Sequence, residues 1–178
     1  MPYNPPPSIP YIGPNVMSLD MRYADRGGGS VNSGTDTAWV ANLAVYAPFI
    51  LPRPIVVMEW FINLGTLTTA SNWDFGIYRE DFTKIQTLGS TTAGTVASNF
   101  NNTTTWTDLT LPAGVYYMAY SNDSTRNHSI FIENSVVHTA AAGWMEQSTA
   151  LPLPATATPV VTTRAWSVPF GFSSRWAI

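Results

Sequence analysis

Few side chains in this sequence are of the kinds that do chemistry, and their spacing keeps them apart. Two histidines occur, His128 and His138. Ten residues of extended chain span roughly 33 Å, so the pair could share a metal or a proton only if the segment between them folded back as a hairpin. Neither has carboxylates at ligand spacing, and both read as polar turn or strand-edge residues. Two carboxylates alone can run a glycoside hydrolase on a β-sandwich. Glu59 falls opposite the apolar face of its run, Glu80 and Asp81 flank a turn, and no spacing pairs any two of them. All three read as solvated charge. Asn122, Asp123 and Asn127 could offer oxygens to calcium from a loop, but the EF-hand pattern is absent. The glycosylation sequons that begin at Asn101, Asn102, Asn122 and Asn127 read as turn-rich composition. A Gly-x-Ser-x-Gly elbow and a His-Glu-x-x-His pair are absent, and Gly27-Gly28-Gly29 precedes no strand-to-helix pattern. The expectation is a protein without catalytic residues, cofactor or metal.

Aromatic residues are the stronger signal, at 13% of the chain with seven tryptophans. Such rings pack cores, stack on sugars and anchor interfaces. Trp39, Trp60, Trp73 and Trp106 lie on the inward faces of apolar runs and read as core. Tyr116 and Tyr120 share the face opposite Val115 and Tyr117, so one of the two sets must be exposed or covered by a partner. Tyr116 and Tyr120 are the candidates for contact with a glycan or a partner. Trp176 and Ile178 close the chain, and exposed apolar residues there are a liability, so both are expected to be covered by the same or another subunit and are the candidates for an oligomer contact.

The charge balance narrows the partners. Only 11% of the 178 residues are charged and the formal net charge is −3. Lys84 is the only lysine and the seven arginines are scattered singly, which excludes the clustered cations that neutralise phosphates, so no nucleic acid is expected. No apolar run reaches the roughly 18 residues that span a bilayer. The opening Met1–Pro7 lacks the basic and apolar regions of a signal peptide, so neither a membrane partner nor that route of export is expected. With no cysteine, disulfides and thiolate metal sites are excluded. Thr, Ser and Asn recur instead of Glu and Lys; Thr suits a pleated surface, and Ser and Asn suit turns.

The elements that must position these residues are short strands. Residues 1–35 form an extended proline-rich arm followed by a glycine-rich hinge, and residues 36–178 form the domain. In the arm, Pro5, Pro6 and Pro7 stand among Tyr3, Ile9, Tyr11 and Ile12. Proline fixes φ and donates no hydrogen bond, so the arm is extended chain that cannot build a core; it either lies along its own domain or docks on a neighbour, and these seven residues are the expected assembly contacts. Arg26–Ser30, running on to Gly34, is the hinge. From about Thr37 the apolar residues alternate. Trp39, Leu43 and Val45 share a face, as do Trp73, Phe75 and Ile77. Val56, Met58, Trp60, Ile62 and Leu64 form an inward set with Glu59 and Asn63 opposite. Leu111-Pro112-Ala113-Gly114 reads as a turn. Thr139–Gln147 could hold one helical turn, residues 148–159 read as an extended loop, and the final strand is expected within Arg164–Phe172. Many short strands between turn signals argue for an all-β antiparallel sandwich, jelly roll or barrel.

Three phrases carry a resemblance. Trp73-Asp74-Phe75-Gly76-Ile77-Tyr78-Arg79, Leu88-Gly89-Ser90 and Leu111-Pro112-Ala113-Gly114-Val115-Tyr116-Tyr117-Met118-Ala119 resemble a module in virion proteins of tailed bacteriophages. The similarity covers roughly residues 55–172, with Leu151-Pro152 and Ala155-Thr156 before the last strand. It implies a jelly-roll sandwich in a capsid decoration, head-fibre or tail accessory protein located in the virion. It also implies a homo-oligomer, a trimer, that attaches to the major capsid or tail protein. The shared phrases are turns and core aromatics, so the resemblance carries over no functional residue. Recognition of a host glycan by loops and exposed aromatics is the alternative expectation.

Overall fold

A computed structural model of the chain describes residues 17–18, 30–31, 37–64, 71–89, 91–93, 98–123, 127–128, 131–132, 140, 143–164, 166–167 and 170–176. Every named element among them is a β-strand. The first strands are β1 (Met17–Ser18), β2 (Ser30–Val31), β3 (Thr37–Ala38), β4 (Leu43–Leu51), β5 (Ile55–Leu64) and β6 (Ser71–Arg79). They are followed by β7 (Lys84–Thr87), β8 (Thr91–Ala93), β9 (Ser98–Leu111), β10 (Gly114–Asn122) and β11 (Asn127–His128). The last are β12 (Phe131–Ile132), β13 (Met145–Gln147), β14 (Val160–Val161), β15 (Trp166–Ser167) and β16 (Phe170–Trp176).

The larger sheet has the order β14-β13-β4-β10-β6-β7, with β8 also paired to β6, and the smaller has the order β1-β16-β5-β9. Two minor sheets join β3 to β11 and β12 to β2 and β15. The long strands pair antiparallel, with β10 in continuous register against β4 on one side and β6 on the other. The turn at Pro112-Ala113 joins β9 in the smaller sheet to β10 in the larger. Proline presets its first residue, and the Tyr116 hydroxyl donates to the Pro112 carbonyl at 3.0 Å.

Period-two patterning puts the core between the sheets. Leu43, Val45, Ala47, Phe49 and Leu51 of β4, Trp73, Phe75 and Ile77 of β6, and Tyr116, Met118 and Tyr120 of β10 face Ile55, Val57, Phe170 and Phe172 of the smaller sheet. Rings close the gap between layers: Phe49 meets Phe172 at 5.4 Å and Phe75 meets Phe170 at 6.2 Å between centroids. Trp39 and Trp73 are core as expected, and Trp144 joins them. The side chains of Trp60 and Trp106 lie outside the described residues.

Two expectations need correction. The inward set on β5 does not begin at Val56: Ile55 and Val57 are fully buried and Val56 is half-buried. The reason is a β-bulge. Ser173 pairs with Glu59 and Ser174 with Val57, so Met58 is the extra residue and the alternation slips by one. Past the bulge, Trp60 and Ile62 register with Phe172 and Phe170, whose own side chains are core. Within Thr139–Gln147, where a helical turn is expected, Ala140 is helical and Met145–Gln147 is β13. Gly143 takes φ of +80° and its amide donates to Ala140 at 2.9 Å. An added Cβ there would lie 2.7 Å from Pro48 Cγ, so only glycine fits against β4. Finally, the closing strand of the smaller sheet is Phe170–Trp176, shifted beyond the expected range.

The bulge makes a direct test of register. Ile55→Ala should cost about 2–5 kcal/mol in chemical denaturation, as for other buried Ile truncations. Val56→Thr, one residue along, should cost well under half of that. A larger loss at Val56 would put the alternation back on its unslipped register.

Candidate functional site

The side chains of the larger sheet that point away from the core form a second, smaller apolar layer. Ala44 and Tyr46 come from β4, Tyr78 from β6 and Ala119 from β10, and all four are buried. What buries them is residues 148–159, the segment that reads as a loop in sequence. It crosses the sheet as a strap and inserts Ala150, Leu153 and Ala157. Gly76 makes room, since a Cβ there would lie 3.0 Å from Leu153 Cδ1 and 2.8 Å from Thr87 Cγ2.

Lacking a strand ladder of its own, most of the strap is fastened by individual hydrogen bonds. The Ala150 amide donates to the Asn42 carbonyl at 2.8 Å, and the Ala157 amide to the Phe82 carbonyl at 3.0 Å. The Lys84 amide donates to the Ala155 carbonyl at 2.9 Å, beside an isolated bridge between Thr83 and Thr156. Side chains supply the rest. The Tyr78 hydroxyl donates to the Pro154 carbonyl at 2.7 Å, and Lys84 Nζ to the Leu153 carbonyl at 2.9 Å. The Leu153 amide donates to Asp74 Oδ2 at 3.0 Å. Gln147 Oε1 accepts from the Thr158 amide at 2.9 Å and from the Tyr46 hydroxyl at 3.3 Å.

Among the described residues three non-glycine residues take left-handed φ, Asn42 (60°), Phe82 (61°) and Thr149 (53°), and each lies at one of these fastenings. Asparagine tolerates that region, whereas an aromatic or β-branched residue is held there against its preference. At Phe82 the holding device is visible. Asp81 Oδ1 accepts the Thr83 amide at 2.9 Å, and that bond, with the Thr83 hydroxyl, keeps the Asp81 carboxyl below its usual range. Phe82 then packs at a tilt against Tyr117 at 4.4 Å and meets Tyr46 edge-on at 6.1 Å.

Asp74 is the chemically unusual member. Its side chain is fully buried, and burial pushes its pKa up to about 6, against the opposing pull of the Leu153 amide and the Lys84 charge. Burial likewise raises the phenols of Tyr46 and Tyr78. The arrangement can bind and release a proton near neutral pH while it holds a chain segment.

At the sheet's edge, Glu146 accepts from Arg164 Nε at 3.0 Å, Thr162 Oγ1 at 3.0 Å and Thr163 Oγ1 at 3.1 Å. The next residues out are Val160 and Val161 of β14, 62% and 57% exposed at the end of the strand order.

The expected contact residues fare differently. Tyr116 and Tyr120 are 7% and 0% exposed, packed on Phe49 and on Trp39 and Phe75, so they are core residues and reach no external ligand. Their neighbour Tyr117 is the half-exposed one. Trp176 pairs through its backbone with Ile55, while Ile178 and the arm residues Tyr3, Pro5, Pro6, Pro7, Ile9, Tyr11 and Ile12 lie outside the described residues, as does His138. Asn122 is buried with its amide donating to Ser71 Oγ at 3.1 Å, and Asp123 accepts twice from Asn72, so both are engaged within the fold. Among the described residues no three His, Asp or Glu side chains gather to hold a metal. Sequence reasoning missed the strap and Asp74; the one available signal was a carboxylate placed mid-strand between Trp73 and Phe75.

Comparison of the chain with protein-family models, curated proteins and solved structures returned no match.

Two measurements test this description. Gly76→Ala should destabilise the protein by about 1–3 kcal/mol through overpacking against Leu153 and Thr87. The second concerns pH. Asp74 has a folded pKa raised above its unfolded value, so it favours the folded state below the unfolded value of 3.8, and that contribution is lost as pH rises through about 6. Its share is on the order of 3 kcal/mol between pH 4 and 7. In Asp74→Asn this component should disappear from the plot of stability against pH, leaving the variant at least as stable as the parent above pH 7.

Proposed function

We propose that this protein is a non-enzymatic virion structural protein of a tailed bacteriophage, a jelly-roll sandwich that self-associates and attaches to a capsid or tail through its N-terminal arm. The observation that carries the assembly reading is the edge that β14 presents among the described residues. A sheet edge offers unpaired backbone groups, and soluble proteins usually guard such edges with charge or proline. Here the edge strand offers two valines more than half exposed, and its nearest charges, Glu146 and Arg164, are spent on each other. Apolar exposure of that kind suits a protein–protein contact. The arm of Tyr3, Pro5, Pro6, Pro7, Ile9, Tyr11 and Ile12 and the three phrases shared with phage virion modules support the rest of the reading.

Deleting residues 1–15 should abolish co-sedimentation with phage particles while leaving the far-ultraviolet circular dichroism of the domain unchanged. Val160→Glu with Val161→Glu should lower the oligomeric mass in light scattering, because two carboxylates at a shared edge repel and must be desolvated. Unchanged attachment in the first experiment and unchanged mass in the second would each remove a half of the proposal.

A second reading has its own observation. The half-exposed Tyr117 packs at a tilt against Phe82 beside the exposed Glu80 and Asp81, an aromatic with polar neighbours of the kind that receives sugar rings. Reproducible binding on a glycan array that is lost in Tyr117→Ala would favour carbohydrate recognition.

A further inference from the structure

Among the described residues the larger sheet ends on β14, and the ladder beside it shows which backbone groups of that strand are left over. In an antiparallel pair, successive residues turn their N–H and C=O groups to opposite sides. The Thr162 amide donates to the Trp144 carbonyl at 3.2 Å, in step with the pairs Val161–Met145 and Val160–Glu146. Thr162 and Val160 therefore commit their backbone groups to β13. Val161 turns both of its own away from β13, to the side where the strand order stops. Pro159 falls in the same outward phase, where its missing N–H leaves no donor unmade. Both valine side chains are more than half exposed, and the nearest charges, Glu146 and Arg164, are closed on each other. The far end of the sheet differs. At β7 the Lys84 amide already donates to the Ala155 carbonyl and Thr83 bridges Thr156, so the strap occupies part of that edge.

We propose that β14 is a two-fold edge: it pairs antiparallel with β14 of a second copy, Val161 opposite Val161, and joins the two larger sheets into one. The inference rests on the self-association proposed above and specifies its partner, register and symmetry. A residue on the axis exchanges both hydrogen bonds with its own copy, so each Val161 N–H donates to the Val161 C=O across from it. The same alternation sets the Thr163 amide opposite the Pro159 carbonyl of the second copy, where the proline is needed only as an acceptor. The partner follows from the edge itself. It presents one donor and one acceptor at a single residue, apolar side chains around them and no unpaired charge, and an identical edge matches all three. A head-to-tail pairing of β14 with β7 would have to displace the strap from Thr83 and Lys84. Self-pairing is isologous and closes at two copies; a third copy would need another surface.

The chain has no cysteine, so single-cysteine variants of the full-length protein report the register directly. In Val161→Cys the two thiols lie opposite each other within disulfide reach, and oxidation should give a band of doubled mass on non-reducing electrophoresis. In Val160→Cys the two thiols are offset along the strands, with Cα atoms more than about 7 Å apart, so cross-linking should be several-fold weaker. Val161→Pro removes the outward N–H and leaves the β13 ladder and the charge unchanged. In analytical ultracentrifugation it should raise the dimer dissociation constant by on the order of tenfold or more, whereas Val161→Thr, which keeps the N–H, should stay near the parent value. Should Val161→Pro fail to fold, the two cysteine variants decide alone. Cross-linking at residue 160 equal to that at 161 would overturn the proposal. An oligomeric parent whose mass is untouched by Val161→Pro would also overturn it, while leaving self-association through another surface intact. A parent that stays monomeric at every concentration would overturn both.

Discussion

Strands β4, β6 and β10 are buried on both faces, and most of the molecule is arranged around that constraint. A strand in an antiparallel sandwich ordinarily keeps one face in water. Here the inward face meets the smaller sheet through Phe170 and Phe172, and the outward face, with Tyr46, Tyr78 and Ala119, needs a second cover. The chain supplies it with an extended segment that carries three prolines and forms almost no ladder. Since buried backbone groups must find partners, the sheet has to reach up to the strap with side chains. That is why a carboxylate, two phenols and the only lysine of a low-charge protein are gathered at this face.

The same need explains where backbone strain is stored. Asn42, Phe82 and Thr149 take left-handed conformations at points where the strap meets a turn, and each directs a carbonyl or the chain itself toward a fastening. The cover is therefore built from many modest contributions, each of about 0.5–1.5 kcal/mol for a hydrogen bond, set against the desolvation of Asp74. A segment tied by separate bonds opens locally more easily than one woven into a ladder. The sandwich below it is held by ring contacts between layers and is the stiffer unit.

Much of this was legible in the sequence where alternation is strict. Trp73, Phe75 and Ile77 point inward as their spacing requires, and the Pro112-Ala113 turn stands where its residue types place it. On β5 the alternation is equally clean to read, yet a bulge is a property of two strands, and the residues that create it, Ser173 and Ser174, lie over a hundred positions away. Tyr116 and Tyr120 could not be separated from Val115 and Tyr117 by pattern, because β10 is apolar on both faces and the layers laid over it, the smaller sheet on the Tyr116 and Tyr120 side and the strap on the other, decide which set is covered. The strap itself has no periodicity to read: Leu-Pro-Leu-Pro-Ala looks like a linker until a sheet with room at Gly76 lies beneath Leu153. Asp74 was hidden for a similar reason. A carboxylate that alternates with Trp and Phe reads as the wet side of a strand, and nothing local reveals a lid.

The way the strap is tied also fixes how it would answer to force. Tension applied along its length loads the bonds at Asn42, Asp74, Lys84, Tyr78 and Phe82 together, so they fail as a group and the segment resists shear. Tension that lifts one end loads them in turn, and the segment peels at a much lower force. A sandwich clasped in this way is mechanically anisotropic, rigid to a neighbour that drags across the strap and yielding to one that pulls its end outward.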